Sequence, residues 1–325
     1  MSWTQARIPL LLLSALSSLA AAGAQEPPAP PPPGPAHAIQ HVFVIAMENH
    51  DPQTIIGKKS KAPFINTELV PKFAQATNFN DELPLKVLSE PHYLWMEAGT
   101  NQFSDHTFLT DKDPSSANST KSTDHLVTQM KNASPAVGWM TYQEGQNSET
   151  GACPVVSERF YAAKHNPFVF FQDVSGSPPS KTNGYCAAHS RPLPLLAKDL
   201  DANTVESYVF ITPNLCHDMH GAIGCPLGNI IRQGDEWLRA NLRKLIDWAA
   251  KHAGVIFLVW DEGEKTRTMP FLAVGPGVKP GFSGKVAYDH GSLVKSIEEI
   301  FNLPVLPAVA KNNDLADLFK PGFFP

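Results

Sequence analysis

Three apolar runs in this 325-residue chain stop abruptly at polar residues able to hold a metal ion or a phosphoryl group. Ile39–Met47 ends at Glu48-Asn49-His50-Asp51, and Val255–Trp260 ends at Asp261-Glu262-Gly263-Glu264. Ser207–Thr212 ends just before a segment carrying His217, Asp218 and His220. An unpaired charge at the end of an apolar strand is expensive, and a divalent cation with oxygen ligands removes that cost. Glu48, Asn49, Asp261 and Glu262 are therefore the candidate metal ligands. The plainer reading is that strand-end polar residues meet solvent; repetition on separate strands favours a site. Ser89, within Leu88-Ser89-Glu90-Pro91-His92-Tyr93, is a candidate nucleophile, because a hydroxyl beside a metal gives up its proton more easily. Pro91 is expected to stiffen a turn after it. His217, Asp218 and His220, with His165 and His290 further away, could bind phosphoryl oxygens, protonate a leaving group or complete a second metal site. His106 and His125 read as structural.

These residues need a scaffold that gathers distant strand ends onto one edge. The three runs, with Phe271–Val274 as a fourth, read as buried strands. Helical segments alternate with them: Asp235–Ala250 carries an apolar stripe at 3.6-residue spacing, and Ser292–Phe301 is a second. Alternation of this kind indicates an α/β fold with a doubly wound, mostly parallel sheet sandwiched by helices, in which ligands bind at the carboxyl ends of the strands. Arg7, the apolar run Ile8–Leu19 and Ala22-Gly23-Ala24 read as an export signal over residues 1–24, which makes the protein secreted or periplasmic. Residues 25–37 form a proline-rich tether, leaving 38–325 as a single domain. No later run is long and apolar enough to cross a bilayer. Cys216 and Cys225 flank a short loop and are expected to pair, leaving Cys153 with Cys186; the spacing fits no usual zinc pattern. The formal net charge of −5 argues against a nucleic-acid partner. Asn118-Ser119-Thr120 and Asn132-Ala133-Ser134 are sequons, relevant only in a host that glycosylates.

An ordered set of motifs goes further than any of its parts. Met47-Glu48-Asn49-His50, Ile55-Ile56-Gly57, Ala62-Pro63-Phe64-Ile65-Asn66, Ser89 to Leu94, Tyr161 to Pro167, Pro213-Asn214 with Asp218-Met219-His220, Gln233 to Leu238, and Trp260-Asp261-Glu262 run from about Ile39 to Leu303. Together they resemble bacterial secreted acid phosphatases, a group that includes phosphatidylinositol-3-phosphatases and is related to bacterial phospholipase C phosphoesterases. The resemblance implies an alkaline-phosphatase-like fold and one phosphoesterase domain. It also implies one divalent metal ion, of which calcium or magnesium would suit the oxygen ligands and zinc the histidines. By the same resemblance, Glu48, Asn49, Asp261 and Glu262 match the metal ligands and Ser89 the nucleophile of a phosphoserine mechanism. His165, Asp218, His220 and His290 match positions around the phosphoryl group. The implied activity is a phosphomonoesterase acting on small or lipid-borne phosphate esters, possibilities that leave phosphoinositides in view. A phospholipase C-type diesterase and a non-catalytic exported protein of the same fold stay open. The chain departs from the pattern at His50 and Asp51, where relatives often carry Arg-Ser, at His92 in place of asparagine, and at Gly221 in place of an acid.

Overall fold

After His41, the strand His41–Met47 carries only apolar side chains, and a strand apolar on both faces must be covered on both. The computed structural model, which describes residues 1–2, 38–146 and 151–325, places this strand in the interior of the sheet. The strands among the described residues are β1 (His41–Met47), β2 (Ala74–Ala76), β3 (Phe79–Asn80), β4 (Trp139–Gln143), β5 (Ser190–Pro192), β6 (Tyr208–Thr212), β7 (Gly254–Trp260), β8 (Thr268–Met269), β9 (Phe271–Val274) and β10 (Ser283–Gly284). Eight of them form one sheet in the order β10-β2-β9-β7-β1-β6-β4-β5, while β3 and β8 pair separately. β1 lies parallel to both β6 and β7, and Met47 stands opposite Trp260. The carboxyl ends of these three strands therefore share one edge. β9 runs antiparallel to β7, so the sheet is mixed but mostly parallel. Val42 to Met47 are at most 1% exposed, and full burial of each larger side chain is worth ~1.5–3 kcal/mol.

Helix Ile230–Lys251 begins five residues earlier than its apolar stripe suggests, because Asn229 caps it by accepting from Arg232 N. It buries Ile231, Trp237, Leu238, Leu242, Leu245, Trp248 and Ala249. Helix His290–Ile300 likewise starts earlier, under an Asp289 capping box. Pro91 does not stiffen a turn: Ser89–Ala98 is a helix with Pro91 in its first turn, where the missing N–H costs nothing. Disulfides join Cys153 to Cys186 and Cys216 to Cys225, as the spacing predicts. The described residues from 38 onward form one compact unit. The expected export signal and the tether up to residue 37 fall within 3–37, outside the described residues. Among the described residues no helix is long and apolar enough to cross a membrane.

Candidate active site at the strand ends

Glu48 leaves β1 into a fully buried position, held on both sides through the backbone. Its N–H donates to Asp218 O at 2.8 Å, and Asp261 N–H donates to Met47 O at 2.9 Å. The residues after β1, β6 and β7 are thereby locked together. Asn49 follows with φ 33°, a left-handed conformation that asparagine tolerates. Its N–H donates to Asp261 Oδ1 at 3.0 Å and its side-chain amide to Glu262 Oε1 at 3.1 Å. Met219, between Asp218 and His220, takes φ 82°, an uncommon state for a bulky residue that the surroundings must impose. His50 Nε2 meets Met219 O at 3.2 Å on one side. On the other, Gly234 lets helix Ile230–Lys251 come close: a Cβ there would sit 2.4 Å from Met219 Cγ. The next residue, Asp235, accepts from Phe64 N and Ile65 N at 2.9 Å each. The Gln233-Gly234-Asp235 motif is thus a packing device for the loops around the site.

Ser89 enters from the amino end of its helix. Its hydroxyl lies 3.1 Å from Glu48 Oε2 and 3.2 Å from Glu262 Oε1. One helical turn on, Tyr93 donates to Glu48 Oε1 at 2.8 Å and stacks on the His165 ring at 4.8 Å between centroids. His165 Nδ1 is 3.4 Å from Glu48 Oε1 and 4.0 Å from Asp218 Oδ2. Glu48, His165 and Asp218 each offer a ligand atom within 4.8 Å of the other two. Glu48, Asn49, Ser89, His165, Asp218, Asp261 and Glu262 are therefore brought together as the sequence suggests. His220 lies exposed at the rim, its N–H on Asp218 Oδ1 and its Nδ1 on Gly221 O. His290 is buried against the end of β7, with Nε2 on Trp260 O at 3.2 Å, and burial pushes its pKa down to about 4. His92 does not present a free ring to the site: Nδ1 meets Leu88 O and Nε2 meets Asp81 Oδ2, both at 3.0 Å.

Carboxylates this close and this dry resist being charged together. Burial, then the neighbouring Glu48, raises Asp218 and Asp261 well above the ordinary range. Burial raises Glu262 to about 7, with His92 pulling the other way and Glu48 adding to the rise. Burial lowers His165. Among the described residues, Asn49 Oδ1, Asp218 Oδ2, Asp261 Oδ2 and His165 Nε2 are buried with no hydrogen-bond partner. Buried polar atoms are normally satisfied, and three orphaned oxygens beside crowded carboxylates suit a hard cation. The donor set fits a divalent metal.

Four further residues take roles at the site that the sequence does not assign to them. Tyr93 lies four positions after Ser89, the spacing that puts two residues on one helix face. Glu144 follows β4 and binds His217 Nδ1 at 3.0 Å; the strand-end logic would have found it had Trp139–Gln143 been recognised as a strand. Asp81, partner of His92, carries no local signal. Asp51 binds the loop after Glu262, a contact 213 residues distant in sequence.

A family model described as the phosphoesterase family matches residues 69–304. A phosphatidylinositol-3-phosphatase of Mycobacterium tuberculosis is 27% identical over 266 residues, covering 81% of this chain and 77% of that protein. A phosphate-repressible acid phosphatase of Penicillium chrysogenum is 26% identical over 181 residues, 52% of this chain and 40% of that one. Among solved structures, a protein in the alkaline phosphatase superfamily from Vibrio parahaemolyticus superposes with a TM-score of 0.55 at 10% identity, covering 87% of this chain and 70% of that one. That likeness speaks to the fold, which is the expected one.

Proposed function

The chain belongs to the phosphoesterase family, and from its place among hydrolases of phosphoric esters we propose that it is an exported, metal-dependent phosphomonoesterase acting through a phosphoserine at Ser89. One observation carries the reading: the Ser89 hydroxyl faces two buried carboxylates, at 3.1 and 3.2 Å. Its proton has an acceptor at hand when the oxygen attacks.

Glu48, Asn49, Asp261 and Glu262 would hold the cation, and the free Oδ1 of Asn49 and Oδ2 of Asp261 support that set. When bound, a divalent ion favours the ionised hydroxyl and neutralises charge on the phosphoryl group. Ser89 Oγ then attacks phosphorus in line with the leaving alcohol, giving phosphoserine; water attacks next and frees phosphate. His165, whose Nε2 has no partner among the described residues, is placed to orient the phosphoryl group through a hydrogen bond, and the leaving alcohol takes up the proton that Ser89 gives to the facing carboxylate. His220 at the rim and buried Asp218 orient the same region, and His290 braces the end of β7. Tyr93 holds Glu48 and His165 in fixed relation.

Two disulfides support an oxidising compartment, hence export to the periplasm or beyond. The named activities of the relatives favour a phosphate monoester, small or lipid-borne. Replacing Ser89 by alanine should cost roughly a thousandfold or more in turnover of p-nitrophenyl phosphate, the scale of losing an activated nucleophile. Full activity in Ser89→Ala would remove the serine from the mechanism.

A further inference from the structure

The ring closed by Cys216–Cys225 carries Asp218 and His220 at the site, and it also carries Ile223. Ile223 is 104% exposed, and Leu227, two residues beyond the ring, is 101% exposed. Scattered exposed aliphatics are ordinary. These two differ in being held out by a pinned backbone. Gly221 N donates to Leu215 O at 2.8 Å, Cys225 N to Ala222 O at 3.1 Å, and Gln233 Nε2 to Pro226 O at 2.8 Å. With the disulfide, these bonds keep both side chains in water at the lip of the site.

A second feature is tied to the start of the helix that follows them. Lys58, Lys59 and Lys61 are all exposed on the loop between the short helix Pro52–Ile55 and the helical turn Ile65–Leu69, in a chain whose formal net charge is −5. The Arg232 guanidinium, three residues past the cap of its helix, donates to Ser60 O at 3.0 Å and so ties this lysine loop to the segment ending at Asn229. Aliphatic tips and a cationic loop anchored on one helix start match the interface of an anionic bilayer.

We propose that this edge docks on an anionic lipid surface, with Ile223 and Leu227 entering the headgroup boundary and Lys58, Lys59 and Lys61 meeting the headgroups. The inference rests on the reading of the strand-end site as a phosphomonoesterase centre and adds that it meets its substrate at a membrane. Because the ring carrying Ile223 also carries Asp218 and His220, insertion would seat the site against the lipid headgroups.

The test is co-sedimentation of the full chain with vesicles of phosphatidylcholine alone and with vesicles of equal parts phosphatidylcholine and phosphatidylglycerol. Wild type is expected to bind the anionic vesicles and to release as salt rises. Replacing both tips (Ile223→Ser with Leu227→Ser) should weaken binding by roughly a hundredfold, taking about tenfold for each buried aliphatic. The same double variant should turn over p-nitrophenyl phosphate like wild type, which shows that it is folded. Lys58→Glu with Lys59→Glu should weaken binding roughly fivefold or more for each charge. No binding by wild type, or equal binding by the double variant, overturns the proposal. A wild-type oligomer that the double variant dissolves, without vesicle binding, assigns the face to a protein partner and also overturns it. Vesicle binding without phosphatase turnover would instead count against the catalytic reading alone.

Discussion

Replacing Asp51 with alanine would release the segment that follows Asp261 and Glu262. The Asp51 carboxylate is buried and accepts from Glu264 N at 3.2 Å, Lys265 N at 3.1 Å, and Thr266 N and Oγ1 at 2.9 Å each, with Gln53 Nε2 at 3.2 Å. A hydrogen bond to a charged group is worth ~1.5–3 kcal/mol, so a simple sum over these donors would rival the stability of a whole domain. Residues 264–266 are exposed, however, and water takes over their freed N–H groups. The expected loss for Asp51→Ala is therefore about 2–3 kcal/mol. Asp51→Asn keeps an oxygen in place of Oδ1 and should lose about half as much. Burial alone would raise the Asp51 pKa, but the donors from Thr266 and Lys265 outweigh it and the net shift is downward. Its contribution is thus complete above the unfolded value and fades as pH falls through the lower folded one. The effect should reach the site, because Glu262 is joined to this loop through Gly263, where a Cβ would lie 1.9 Å from Thr266 O. A shift of about 1 Å in Glu262 would cost turnover roughly a hundredfold. Urea denaturation at neutral and acid pH, with p-nitrophenyl phosphate kinetics, measures both. If Asp51→Ala leaves the urea midpoint and kcat unchanged, the loop is not held this way.

Other outcomes follow from the same contacts. Tyr93→Phe removes the 2.8 Å bond to Glu48 but keeps the ring on His165; kcat should fall about tenfold, the equivalent of ~1.4 kcal/mol, with KM little changed. Verified removal of metal by a chelator should abolish turnover and restoration of a divalent ion should recover it, while Asp261→Asn should demand far more metal; chelation without effect on rate rules out the metal role. Burial raises Glu298 in helix His290–Ile300 from 4.5 to about 7. The folded state therefore holds that proton longer than the unfolded one, and stability falls as pH rises between those values. Glu298→Gln should flatten this part of the urea-midpoint profile; an unaltered slope would contradict the assignment.

How much of this could be read from the residues depends on the range of each interaction. β1, β6, β7 and β9 announce themselves because a strand buried on both faces must be apolar throughout, and their ends then mark Glu48, Asp218 and Asp261. Trp139–Gln143 does the same work in the sheet but contains Thr141 and Gln143, so it does not read as a strand, and Glu144 at its end is missed. Ser89 is found by its chemistry, yet the turn expected around Pro91 is a helix, since proline is at home in a first turn. His50 and Asp51 read as departures from related sequences; the structure gives them work as braces on Met219 and on residues 264–266. Asp81 and His92 meet only because the fold brings a loop onto the Ser89 helix, and nothing local encodes that.

In the proposed mechanism Ser89 Oγ takes the phosphoryl group. Acid quench of the metal-loaded enzyme during turnover, followed by mass spectrometry of its peptides, tests this most directly. One added phosphate on Ser89 in wild type, absent from Ser89→Ala, is expected. A phosphate carried on His165 or Asp218, or full turnover with Ser89 never labelled and Ser89→Ala still active, would contradict it.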